Sequence, residues 1–234
     1  MTPARLALVA AGGDAIGLGH VMRSRRLAEA LERAGAQVER FAVDAGAEAL
    51  FGPRLDPGAL SGCAAVSLDV PRRDRLAAAQ EVRAAAPGAA LVLIGGPSEA
   101  DPLGDLLIRQ TLSRDETGAR VIAGPDALLA PPALFEDRPA PRREAASGLF
   151  CLGGGRREGY ADIAQALTLA CPELIWRLAG PQGEETAAGL AGRRVEAVPS
   201  DALAAAMLRA DLAVIGGGGL VDEAAAARLP AIYL

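Results

Sequence analysis

The chain contains no lysine; all 24 of its basic residues are arginine, a usage bias of the kind a GC-rich genome imposes and not by itself a functional signal. Aromatic residues make up only 3%, so the core of a chain that is 51% hydrophobic has to be built from Ala, Leu and Val. Basic stripes are missing too. The arginines are interleaved with acids and the net charge is −5, which argues against nucleic acid as a partner. Long apolar runs are absent: stretches such as "ALVLI" at 90–94 are far too short to cross a bilayer. Cysteine occurs three times, at Cys63, Cys151 and Cys171, an odd number without CxxC spacing. This excludes a disulfide framework and a zinc site and fits a reducing, cytoplasmic setting. Histidine occurs once, at His20.

What is present is a repeated strand–glycine–helix pattern. "RLALVAA" (5–11) reads as a strand, "GGDAIGLG" as a loop, and His20 to about Ala34 as a helix. The opening "MTPARLALVAAGGDA" superficially resembles a signal peptide, but its apolar stretch is short and runs straight into the glycines, so a first strand is expected. "AQVERFAV" (36–43) is the second strand, completing the opening unit of a doubly wound sheet. Strands are also expected at 64–70, 89–96, 105–111 and 119–124, with a helix over "RRDRLAAAQEVRAAA". Residues 131–148 carry four prolines and mixed charge and read as a linker. The pattern then restarts, with strands at 149–155, 174–180, 193–199, 211–219 and 231–234 and helices at 161–171, 201–210 and 220–229. The fold class expected is α/β, with Rossmann-like domains at 1–135 and 148–234. The closing "AIYL" reads as a strand with no helix behind it, so the second domain is expected to be either truncated or unusually economical.

Three glycine loops and one histidine carry the candidate chemistry. Gly12-Gly13-Asp14-Ala15-Ile16-Gly17-Leu18-Gly19-His20 joins a strand to a helix N-terminus, where backbone N–H groups and the helix dipole favour an anion. It is not a dinucleotide fingerprint, because Gly17-Leu18-Gly19-His20-Val21-Met22 lacks the third glycine. Arg23 lies one helical turn after His20 and shares its face, so a base stands beside a fixed cation. Gly153-Gly154-Gly155 follows a strand, and Gly216-Gly217-Gly218-Gly219 precedes the helix opened by Leu220-Val221-Asp222-Glu223. Four successive glycines permit close approach by a pyrophosphate, and Glu223 can accept from ribose hydroxyls. Each feature also has a plain structural role: a tight βα turn, a capping histidine, first-turn acids that complement the dipole.

"DAIGLGHVMRSRRLAEALERAG" resembles the N-terminal motif D-x-S-x-x-I-G-x-G-H-x-x-R of the UDP-2,4-diacetamido-2,4,6-trideoxy-β-L-altropyranose hydrolases of pseudaminic acid biosynthesis, which include related spore-coat polysaccharide proteins. "LGGG", "GPDALLAPPALF" and "GGGGLVDEAAAARLPAIYL" follow in that family's order. The family is similar to the two-domain GT-B glycosyltransferases. The resemblance implies a UDP-sugar substrate cleaved at its anomeric C–O bond, nucleotide mainly on the C-terminal domain, His20 as the catalytic histidine, and neither metal nor cofactor. On this reading Asp14, His20 and Arg23 are catalytic, and Gly17, Gly19, Gly153, Gly154, Gly216 to Gly219, Leu220 and Glu223 bind substrate. The chain departs from the family at Leu68-Asp69-Val70, which lacks a tyrosine, and at 124–130, which lacks a tyrosine and an arginine. Three functions therefore stay open: a UDP-sugar hydrolase, a glycosyltransferase, and a nucleotide-sugar-binding paralogue without catalysis.

Overall fold

The computed structural model describes residues 4–13, 16–110, 120–135 and 144–234. It divides into two compact units, Met1–Leu129 and Ala130–Leu234.

The first unit is a six-stranded, wholly parallel sheet built from β1 (Arg5–Ala10), β2 (Gln37–Ala42), β3 (Ala65–Asp69), β4 (Ala90–Ile94), β5 (Leu106–Ile108) and β6 (Val121–Ile122). Their order in space is β2-β1-β3-β4-β5-β6. The strands are near-continuous apolar runs because helices cover both faces. Alternation along β1 shows the division. Leu8 and Ala10 pack with Val21 and Ala28 of α1 (Gly19–Arg33) and Ala47 and Phe51 of α2 (Ala45–Phe51). Ala7 and Val9 turn the other way and join Leu68, Leu91 and Leu93 beneath Ala79 and Val82 of α3 (Arg72–Ala85). The chain leaves β1 towards β2 and then crosses back to β3, so the strand order reverses between β1 and β3. A crevice at the C-terminal ends of such a strand pair is the ligand site of open α/β sheets.

The second unit repeats the plan with five parallel strands: β7 (Ser147–Cys151), β8 (Ile175–Ala179), β9 (Val195–Val198), β10 (Leu212–Ile215) and β11 (Ala231–Tyr233). Their order is β11-β10-β7-β8-β9, which puts the reversal between β7 and β10. On one face Phe150, Trp176, Leu178 and Val214 pack with α4 (Tyr160–Ala170) and α5 (Gly183–Gly189). On the other, Leu149, Cys151, Ala213 and Ile215 pack with α6 (Leu203–Arg209) and α7 (Gly219–Ala226).

Both chain segments therefore fold as Rossmann-like α/β units. Helices α2 and α5, seven residues each and rich in Ala and Gly, had no distinct apolar periodicity in the sequence. Within the expected linker, residues 132–135 form a 3-10 turn whose Leu134 is fully buried in the second core. Strand β11 lies at the sheet edge with Ile232 and Tyr233 more than half exposed, so it is not enclosed on both faces. Among the described residues no helix is long and apolar enough to cross a membrane.

Candidate active site

At the reversal point of the first sheet, β1 and β3 run side by side with Ala10 opposite Asp69. The chain leaves β1 through the glycine loop and enters α1, whose first turn carries His20 and whose second carries Arg23. Asp69, the last residue of β3, faces them from the neighbouring strand. His20 Nδ1 lies 2.6 Å from Asp69 Oδ1. Arg23 grips the same carboxylate with both arms, Nε donating to Oδ2 at 3.0 Å and Nη2 to Oδ1 at 2.7 Å. The Asp69 side chain is fully buried, whereas those of His20 and Arg23 keep 20% and 15% exposure, so the carboxylate is the floor of the site and the imidazole opens outward.

The charges fix the protonation pattern. Burial alone would push the Asp69 carboxyl up, but the Arg23 charge and the hydrogen bonds from His20 and Arg23 outweigh it and hold Asp69 below the ordinary carboxylate value. An ionised carboxylate can only accept, so Nδ1 carries the hydrogen and donates it to Asp69. Arg23 Nη2, 2.9 Å from Nδ1, is then a close contact and not a donor to it. In the neutral ring this selects the tautomer whose lone pair is on Nε2, the arrangement a general base requires.

In the sequence Asp69 stands within Leu68-Asp69-Val70, a stretch marked there only by its missing tyrosine, and no role attaches to it. It ends a buried apolar strand, "AVSLD", where a carboxylate is costly unless paired, and that placement is the signal which could have marked it. Asp14 lies outside the described residues. The glycine loop is more self-contained than its sequence suggests. Gly12 N–H donates to Asp44 Oδ2, Gly13 and Ile16 donate within the loop, and Gly17 N–H donates to the carbonyl of Gly13. Gly17 therefore shapes the turn, while Gly19 and His20 sit in a helix N-terminus that no side chain caps among the described residues. That uncapped end is where an anion would meet backbone donors.

In the second unit the two remaining glycine loops are brought together. Adjacent β7 and β10 pair Cys151 with Ile215, so Gly153-Gly154 and Gly216 to Gly219 leave neighbouring strand ends at the reversal point. Gly216 donates to the Cys151 carbonyl, and a β-carbon on it would lie 2.9 Å from the Leu152 carbonyl oxygen, so only glycine fits there. Gly217 and Gly218 are exposed, and Gly218 precedes α7 without a side-chain cap. Leu220 and Glu223 follow on α7, with Leu220 packed against the core. Burial pushes the Cys151 thiol up to about 11, which leaves it protonated and inert beside these loops. Among the described residues no three His, Cys, Asp or Glu side chains cluster to hold a metal.

Comparison with known proteins bears on the fold. No protein-family profile matches the sequence, and no curated protein matches it. Solved structures do match. Acinetobacter baumannii MurG aligns at a TM-score of 0.62 and 15% identity over 99% of this chain and 78% of its own. Streptomyces sp. SF2575 glycosyltransferase SsfS6, complexed with thymidine diphosphate, aligns at 0.57 and 18% over 98% and 81%. Escherichia coli heptosyltransferase WaaC, bound to ADP-2-deoxy-2-fluoro heptose, aligns at 0.52 and 14% over 98% and 88%. At these identities the likeness is one of fold alone: two Rossmann-like units, as in the GT-B fold.

Proposed function

We propose that the chain cleaves the anomeric C–O bond of a nucleotide-activated sugar, with His20 as general base. The observation that carries this is the buried Asp69 carboxylate, clamped by Arg23 and accepting from His20 Nδ1, which selects the neutral tautomer with its lone pair on Nε2. A water or hydroxyl oxygen attacks the anomeric carbon and its proton passes to Nε2. The C–O bond to the diphosphate breaks, and the electron pair leaves with the nucleotide diphosphate, itself a good leaving group that needs no strong acid. Asp69 keeps the imidazole oriented and stabilises the imidazolium formed. The paired glycine loops of the second unit and the α7 N-terminus suit the diphosphate, and Glu223 suits a ribose hydroxyl.

Hydrolysis, with water as the nucleophile and UDP released from an amino sugar, is the first reading. It is supported by the motif at 14–31 and its resemblance to the hydrolases of pseudaminic acid biosynthesis. Transfer to an acceptor hydroxyl is the second, favoured by structural neighbours that are glycosyltransferases. A panel of UDP-sugars, assayed for UDP release with and without candidate acceptors, separates them. Release without acceptor that His20→Ala abolishes establishes the hydrolase; release only with acceptor establishes the transferase. UDP binding with no turnover under either condition overturns the enzymatic proposal.

A further inference from the structure

Arg75 is a buried cation that the chemistry above does not use. It stands in the first turn of α3, where the helix dipole disfavours positive charge, and is only 3% exposed. Its Nη1 donates to the Gly96 carbonyl at 2.6 Å and its Nη2 to the Val70 carbonyl at 3.3 Å, while Nε has no partner. The guanidinium thus lies beneath the C-terminal ends of β3 and β4. Gly95, at φ 123°, makes room for it, since a β-carbon there would fall 2.4 Å from Nη2. No carboxylate touches Arg75 among the described residues. Asp69 and Asp101 favour its charge only from beyond hydrogen-bonding contact, each being held elsewhere: Asp69 by His20 and Arg23, and Asp101 by Arg109 at 2.5 Å. Keeping a buried cation with no carboxylate in contact is costly, and an anion brought close would offset part of that cost. Gly96, whose carbonyl receives Arg75, is exposed; among the described residues its N–H donates to nothing, and no atom beyond its chain neighbours lies within 4 Å of where its β-carbon would be.

We propose that the space over Gly96 at the ends of β3 and β4 is a subsite for a compact oxyanion, carboxylate or phosphate, carried by the substrate. Gly96 N–H supplies the direct contact, and the covered Arg75 supplies the charge across a short, poorly screened path. The subsite deepens the function proposed above and rests on it only for the statement that the anion belongs to a substrate. Its test is direct titration of the full chain with inorganic phosphate and, separately, acetate, in the presence of saturating UDP. Binding of one anion, weakened at least tenfold in both Arg75→Gln and Gly96→Asp, is the expected result, and the anion that binds more tightly identifies the group. Gly96→Asp places a tethered carboxylate in open space, so it keeps the parent Tm and decides the matter even where Arg75→Gln fails to fold. Absence of binding by the parent chain, or equal binding by a folded variant, overturns the subsite. UDP binding is read in the same samples, so loss of the nucleotide function and loss of the subsite are told apart.

Discussion

At the scale of single residues, three side chains divide the work. His20 accepts the proton, Asp69 orients the ring, and Arg23 keeps Asp69 ionised in a place where burial alone would protonate it. Removing the base by His20→Ala is expected to lower turnover about 10²–10⁴-fold while nucleotide affinity changes little, as steady-state kinetics and a UDP titration will show. Asp69→Asn breaks a buried ion pair and is expected to destabilise the protein by about 3–5 kcal/mol at neutral pH. Its pH dependence has a definite sign. The folded carboxyl titrates below its ordinary value of 3.8, so its stabilisation is fully present above that value and is lost as pH falls through the folded one. The gap between parent and Asp69→Asn in urea unfolding is therefore expected to shrink as pH falls below about 4. A gap that stays undiminished in that acid range rules the assignment out.

Secondary-structure elements supply the placement. Helix α1 descends from the end of β1 beside β3, so its first two turns meet the last residue of that strand. The loop before it is held from outside by Asp44, which both accepts from Gly12 N–H and caps α2 through Ala47 N–H. Asp44→Ala removes both bonds. A loss of about 0.5–2 kcal/mol from the cap is expected in chemical denaturation. A fall in turnover beyond that of a distant mutant of equal stability marks displacement of α1. The element boundaries were largely legible beforehand, because continuous apolar runs and glycine punctuation define parallel strands and βα turns. Helices α2 and α5 were not, since one or two turns of Ala and Gly carry too little periodicity to register.

For the molecule as a whole, the hydrophobic clusters close within each unit: those built on β1 and β3 contain residues of the first unit only, and those on β7 and β8 of the second only. Trp176, 2% exposed and packed on Gly148 of β7, anchors the second. Trp176→Ala is expected to cost about 3–5 kcal/mol there. Amide exchange measured by mass spectrometry is expected to rise across 147–233 while strands β1 to β4 keep their protection. Uniform loss of protection over both units would show a single cooperative core instead.

Sequence alone determined the alternation of strand, glycine loop and helix, the two-unit α/β plan, and the placing of His20 and Arg23 one turn apart on a helix that follows a glycine turn. All of these are local, read from periodicity and spacing over a few residues. The partner of His20 was decided only by tertiary structure. Asp69 is 49 residues away along the chain, and it reaches the histidine because β3 pairs with β1 and the strand order reverses between them. Arg75 likewise looks like one more arginine of a solvated helix, and only its burial under the ends of β3 and β4 shows a cation held by backbone carbonyls alone. Strand adjacency in a parallel sheet is set by crossovers tens of residues long, and no local pattern records which strand ends will meet.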